Sequence, residues 1–186
     1  MIWLITIAAI LAFYEGIKHV TRLYAEGLLR YSMLFLLIID IHAHYYSWWM
    51  YVNYFNDDFY IQIFHQTFFS VTEIVSSVII FSLCSIEYEI TNWKLLVTIS
   101  ISIVHLLIGG LDQFVKQLIF MEGKAFQRFR NLGFMIPDIL HIVIIFLEYK
   151  RTRGLSRYNY ILTKNQLVQL TCLVVFQFLI GKYILT

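Results

Sequence analysis

The chain has 186 residues, of which 60% are hydrophobic and 14% charged, with a net charge of +2 and a mean hydropathy of +0.71. Soluble domains carry about 25% charged residues. This chain has too little polar surface to coat a water-soluble globule, and its near-neutral balance gives no basis for nucleic-acid binding. We expect one all-α polytopic membrane bundle over residues 1–186, with no room for a second sizeable fold.

Six apolar segments follow in order, at roughly 1–20, 28–51, 61–84, 94–114, 133–149 and 166–185. A helix needs about 20 residues to cross the hydrocarbon core. The second, third and fourth segments reach that length easily, and the first and fifth are marginal. The first is apolar from Met1 to Phe13 with no basic region before it, which predicts a retained helix rather than a cleaved signal. The second passes through Asp40, His42 and His44 into the aromatic cluster Tyr45-Tyr46-Ser47-Trp48-Trp49. Trp48, Trp49, Tyr51, Tyr54, Phe55, Phe59 and Tyr60 then form an aromatic belt of the kind found at membrane–water interfaces.

Asn56-Asp57-Asp58 before the third segment and Thr91-Asn92 before the fourth predict helix caps, and the acids favour the positive dipole end. Gly109-Gly110 marks a break in the fourth helix or a close packing contact. The only proline, Pro137, begins or kinks the fifth. Residues 115–132 alternate apolar and basic groups and also suit an interfacial amphipathic helix. Cys84 and Cys172 form no paired spacing, so neither a disulfide framework nor a zinc ribbon is expected. There is no Asn-x-Ser/Thr sequon.

With six spans, the odd loops hold nine basic residues (Lys18, Arg22, Arg30, Lys94, Lys150, Arg151, Arg153, Arg157 and Lys164). The other side holds five, namely Lys116, Lys124, Arg128, Arg130 and Lys182. That excess predicts the odd loops inside. The basic loop from Lys150 to Arg157 fixes topology and would attract anionic headgroups.

Spacing is the informative feature, because helical neighbours on one face fall three, four or seven apart. The second segment aligns Asp40, His44, Ser47 and Tyr51, leaving His42 on another face. The third aligns Gln62, Gln66, Ser70, Glu73 and Ser77, and the fourth Thr98, Ser102, His105, Gly109 and Asp112. The fifth places Asp138, His141 and Glu148 together, and the sixth has a weaker line of Gln166, Gln169 and Gln177. Ionisable groups inside a membrane are costly and turn toward a bundle interior. We therefore expect these stripes to face one another.

Buried acid–imidazole pairs can simply hold helices together. The chemical reading is an intramembrane His/carboxylate site. Asp40, His44, His105, Asp138 and His141 would hold a divalent metal, with Glu73 and Asp112 as catalytic carboxylates. The centre would act on a lipid or small amphiphile. The helical His-Glu-x-x-His of zinc proteases is absent. Haem is a further cofactor that His44, His65, His105 and His141 would suit as axial ligands. Two other classes fit the same residues. One is a proton or ion path through the acids and imidazoles. The other is a non-catalytic subunit bound to other membrane subunits. Membrane lipid is the expected partner in each case.

Overall fold

The computed structural model describes residues 2–57, 60–110, 120, 125–154 and 162–185, and all regular structure among them is helical. Six α-helices follow in order: α1 (Ile2–Ala25), α2 (Tyr31–Asn56), α3 (Tyr60–Ser82), α4 (Asn92–His105), α5 (Ala125–Thr152) and α6 (Lys164–Leu185). A π-helical turn, Leu106–Gly110, continues α4 without a gap. Asp57, which the sequence suggests as a cap for α3, instead closes α2 by donating its N–H to Asn53 O at 2.9 Å.

Long runs of Ile, Leu and Phe favour helices of this length. Four stretches, in α3, in α4 with its π-turn, in α5 and in α6, are long and apolar enough to cross a membrane. The 26-residue α2 is not among the four, because Asp40, two histidines and its tyrosines dilute its apolar run. Pro137 lies inside α5. It begins no helix but leaves the carbonyl four residues back, at Gly133, without its helical amide.

Turn chemistry joins α1 to α2. Gly27 takes a left-handed φ of 70°, which a residue without Cβ adopts freely. Leu28 N–H then reaches Leu23 O at 2.9 Å and Gly27 N–H reaches Tyr24 O at 3.1 Å. This paired closure satisfies the last carbonyls of α1.

The helices α2, α3, α4 and α5 form a ring in which each packs against its two neighbours, while α6 lies outside against α4 and α3. Helix α1 meets the body through its C-terminal part, where Leu23 is buried and His19 packs on Phe81. Gly181 of α6 allows a close approach, since a Cβ there would meet Ile108 Cδ1 at 2.6 Å and the Phe68 ring at 3.0 Å.

The core sits toward the end where α2 and α4 begin. Met33, Leu36, Ile80, Leu83, Leu95 and Ile145 are all fully buried there. A polar clamp closes that end. Arg30 donates to Leu83 O at 2.8 Å and to Tyr88 O at 3.2 Å, with Glu148 Oε2 3.9 Å from its Nε. Burial pulls the Arg30 guanidinium below its ordinary value, and Glu148 opposes that. Asn92 does not cap α4 with its side chain. Its Oδ1 accepts from Tyr149 at 2.6 Å and from Arg153 at 3.2 Å, and Thr91 stands at the N-cap without a side-chain cap bond. Cys84 lies in this clamp, where burial pushes its thiol up to about 11 against the pull of Arg30.

Candidate metal centre

Each ring helix contributes an ionisable side chain to one level of the bundle: Asp40 from α2, Glu73 from α3, His105 from α4, and Asp138 and His141 from α5. All five are buried. Asp40 lies nine residues from the start of α2 and Glu73 nine from the end of α3, so both stand about 14 Å from the clamped end at 1.5 Å per residue.

Two clusters lie in this stretch of the bundle, about one helical turn apart. In the first, His105 Nδ1 stands 3.4 Å from Asp138 Oδ1 and 3.6 Å from Glu73 Oε2, and one donor atom from each residue lies within 4.8 Å of the others. These separations are too long for good N–H···O bonds. They lie within ion-pair range and are also close to the spacing of donors around one ion. Metal–ligand bonds of about 2.0–2.2 Å set neighbouring donors roughly 3.0–3.5 Å apart. Glu73 Oε1 is buried with no hydrogen-bond partner among the described residues.

The orientation of His105 follows from Thr72. Its hydroxyl donates back along α3 to Phe68 O at 2.8 Å and Phe69 O at 3.0 Å, so it must accept from His105 Nε2, 2.7 Å away. The proton of a neutral ring then sits on Nε2, and the Nδ1 lone pair faces the two carboxylates. A bound cation, a second proton on the ring or a proton on a carboxyl would each reconcile that lone pair with the two acids. Outer hydrogen bonds of this kind fix the tautomer of metal-ligating histidines.

In the second cluster, His44 Nε2 and Ser77 Oγ are 2.8 Å apart, Ser77 donates to Asp40 Oδ2 at 3.1 Å, and Asp40 Oδ1 lies 2.9 Å from His141 Nε2. Asp40 Oδ1 approaches His141 off the N–H direction, and neither ring nitrogen of His141 has a hydrogen-bond partner among the described residues. The clusters are one helical turn apart on two shared helices, because Asp138 and His141 are three residues apart on α5 and Glu73 and Ser77 four apart on α3.

The structure brings together all but one of the site residues expected from the sequence. Glu73 joins His105 and Asp138 as a donor, while Asp40, His44 and His141 form the neighbouring chain. Asp112, expected as a catalytic carboxylate, lies outside the described residues. Glu148 belongs to the Arg30 clamp. His42 packs with Tyr46 and Phe134, and His65 packs on Phe69. Thr72 escapes the sequence reading, since it lies one residue off the stripe. Two backbone irregularities flank the donors, the π-turn directly after His105 and Pro137 directly before Asp138. Such departures from α geometry recur at functional sites.

Residues 1–184 match a family described as Family of unknown function (DUF8801). The chain belongs to that family. No curated protein and no solved structure matches it.

Proposed function

We propose that this DUF8801 chain is an integral membrane protein whose ring of four helices holds one divalent metal ion on Glu73, His105 and Asp138. The observation that carries this reading is the donor triad, which comes from three helices, is buried, and sets three possible ligand atoms within 4.8 Å of one another. One imidazole and two carboxylates suit zinc, manganese or iron. Three protein ligands leave positions open, as catalytic sites do. The metal would lower the pKa of a bound water and polarise a carbonyl or phosphoryl oxygen. At this depth the substrate is a lipid or a small amphiphile, and the reaction class is hydrolysis.

The test is metal analysis of detergent-purified protein, followed by Zn²⁺ titration calorimetry. One equivalent per chain is expected, lost in His105→Ala and Asp138→Ala. Protein that carries no metal and takes up none rules the centre out.

The exposure of α1 favours a second reading, membership of a larger assembly. Trp3, Leu4, Ile7, Ile10, Leu11 and Phe13 are all exposed on it. Light scattering in mild detergent separates the two, because a monomer with no co-purifying chain counts against the assembly.

A further inference from the structure

We infer that the centre communicates with one face of the membrane only, through a polar file on α2 and α3 that leads Zn²⁺-like cations and water to it. This rests on the reading of the triad as an embedded site.

The file is a ladder of hydrogen-bonded rungs between the two helices. Tyr51 donates to Thr67 Oγ1 at 2.8 Å in the outermost rung. Gln66 then donates to Ser47 Oγ at 3.0 Å and to Ser70 Oγ at 3.4 Å. His44, Ser77 and Asp40 follow, and His141 Nε2 stands 2.9 Å beyond Asp40 Oδ1. On α2 the steps from Tyr51 to Ser47, His44 and Asp40 are four, three and four residues, so the polar atoms keep to one face. Hydroxyl, amide and imidazole groups in series replace hydration for a cation or a water at every turn, which acyl chains cannot do.

Among the described residues, no hydrogen-bonded line between α2 and α3 continues on the far side. Between the centre and the Arg30 clamp, α2 presents Met33 and Leu36, α3 Ile80 and Leu83, and α5 Ile145, all with no exposed surface. Ser76 of α3 and Thr98 and Ser102 of α4 are polar side chains on that side, and none of their hydroxyls has a partner among the described residues. The hydrogen-bonded line therefore ends at Asp40, having passed Glu73 between Ser70 and Ser77 on α3. Beyond the apolar layer, Arg30 ties Leu83, Tyr88 and Glu148 over the end. A path that enters from one end and meets a fully buried layer in which the hydrogen-bonded line is broken serves an internal site rather than through-conduction.

Single-cysteine variants test this. Ser70→Cys in the file and Leu36→Cys in the apolar layer are made on a Cys84→Ser, Cys172→Ser background and reconstituted in right-side-out and inverted vesicles. The probe is a membrane-impermeant cationic thiosulfonate. Ser47→Cys, on the opposite helix, gives the same reading if Ser70→Cys does not fold. Modification of the file cysteine from one face only is expected, with none of Leu36→Cys from either face. Modification should also slow subsequent Zn²⁺ loading at least tenfold. Labelling of Leu36→Cys, labelling of the file from both faces, or an unchanged loading rate overturns the inference. Absence of Zn²⁺ uptake before any labelling overturns the metal reading instead, and the labelling pattern still decides the path.

Discussion

Thr72 of α3 holds the ring of His105 across the helix pair, its hydroxyl 2.7 Å from Nε2 and already donating to Phe68 O. The contact favours a proton on Nε2. Thr72→Val keeps the shape of the side chain and removes the acceptor. Losses of such outer partners lower metal affinity about 10–100-fold, and that drop is expected for Zn²⁺ by calorimetry. Thr72→Ser should stay within a few fold of the native protein. Equal weakening by both variants would show that the hydroxyl does not matter.

Arg30 is expected to be the most sensitive position outside the centre. Its guanidinium is buried and donates to two carbonyls of the loop after α3. Hydrogen bonds to charged groups contribute about 1.5–3 kcal/mol each. Arg30→Ala should therefore destabilise the fold by about 3 kcal/mol or more in mixed-micelle unfolding. Arg30→Lys should recover only part of this, because an ammonium lacks the planar fork.

Leu36 and Ile80 have no exposed surface. Truncating either to Ala leaves a cavity and should cost about 2–5 kcal/mol. Zn²⁺ stoichiometry in the surviving folded fraction should remain unchanged, since neither residue touches the donors. Loss of metal without loss of stability would contradict the separation of layer and centre.

Gly181 faces Ile108 and Phe68 at distances that leave no room for a larger side chain. Gly181→Leu should separate α6 from the π-turn and lower the midpoint of thermal unfolding by several degrees. An unchanged midpoint would mean that α6 docks elsewhere.

The two thiols should behave differently toward alkylating reagents. Cys84 is buried and its thiol is pushed up to about 11, so the thiolate that reacts is scarce through pH 7–9. Raising the pH through 11, or unfolding in detergent, should restore its reactivity. Cys172 is exposed on α6 and should label first with a lipid-permeant maleimide. Rapid labelling of Cys84 in folded protein at pH 7 would show that the clamp opens readily.

The helical stripes could be read in the sequence because turn spacing alone defines a face. Asp40, His44, Ser47 and Tyr51 do meet Ser77, Gln66 and Thr67 of α3 as facing lines should. Which acid meets which imidazole depends on helix rotation and depth, and these arise only when four helices pack. That is why Glu73 stands among the donors with His105 and Asp138, while Asp40 and His141 face each other a turn away.

Other signals were present but carried another meaning. Thr163 and Gln166 cap the start of α6 reciprocally, with Thr163 N–H on Gln166 Oε1 at 2.8 Å and Gln166 N–H on Thr163 Oγ1 at 3.3 Å. This is the Thr-x-x-Gln box. Read as the head of a polar stripe, Gln166 looked like an interior residue. Arg30 counted only toward the orientation of the chain, because nothing local reveals that its acceptors lie 53 and 58 residues away.

Those separations bear on how the protein is made. When Arg30 leaves the ribosome, the carbonyls of Leu83 and Tyr88 do not yet exist, and Glu148 follows later still. The guanidinium therefore gains its protein acceptors only after α3 and the segment that follows it have been made, and the clamp is complete only once α5 has followed.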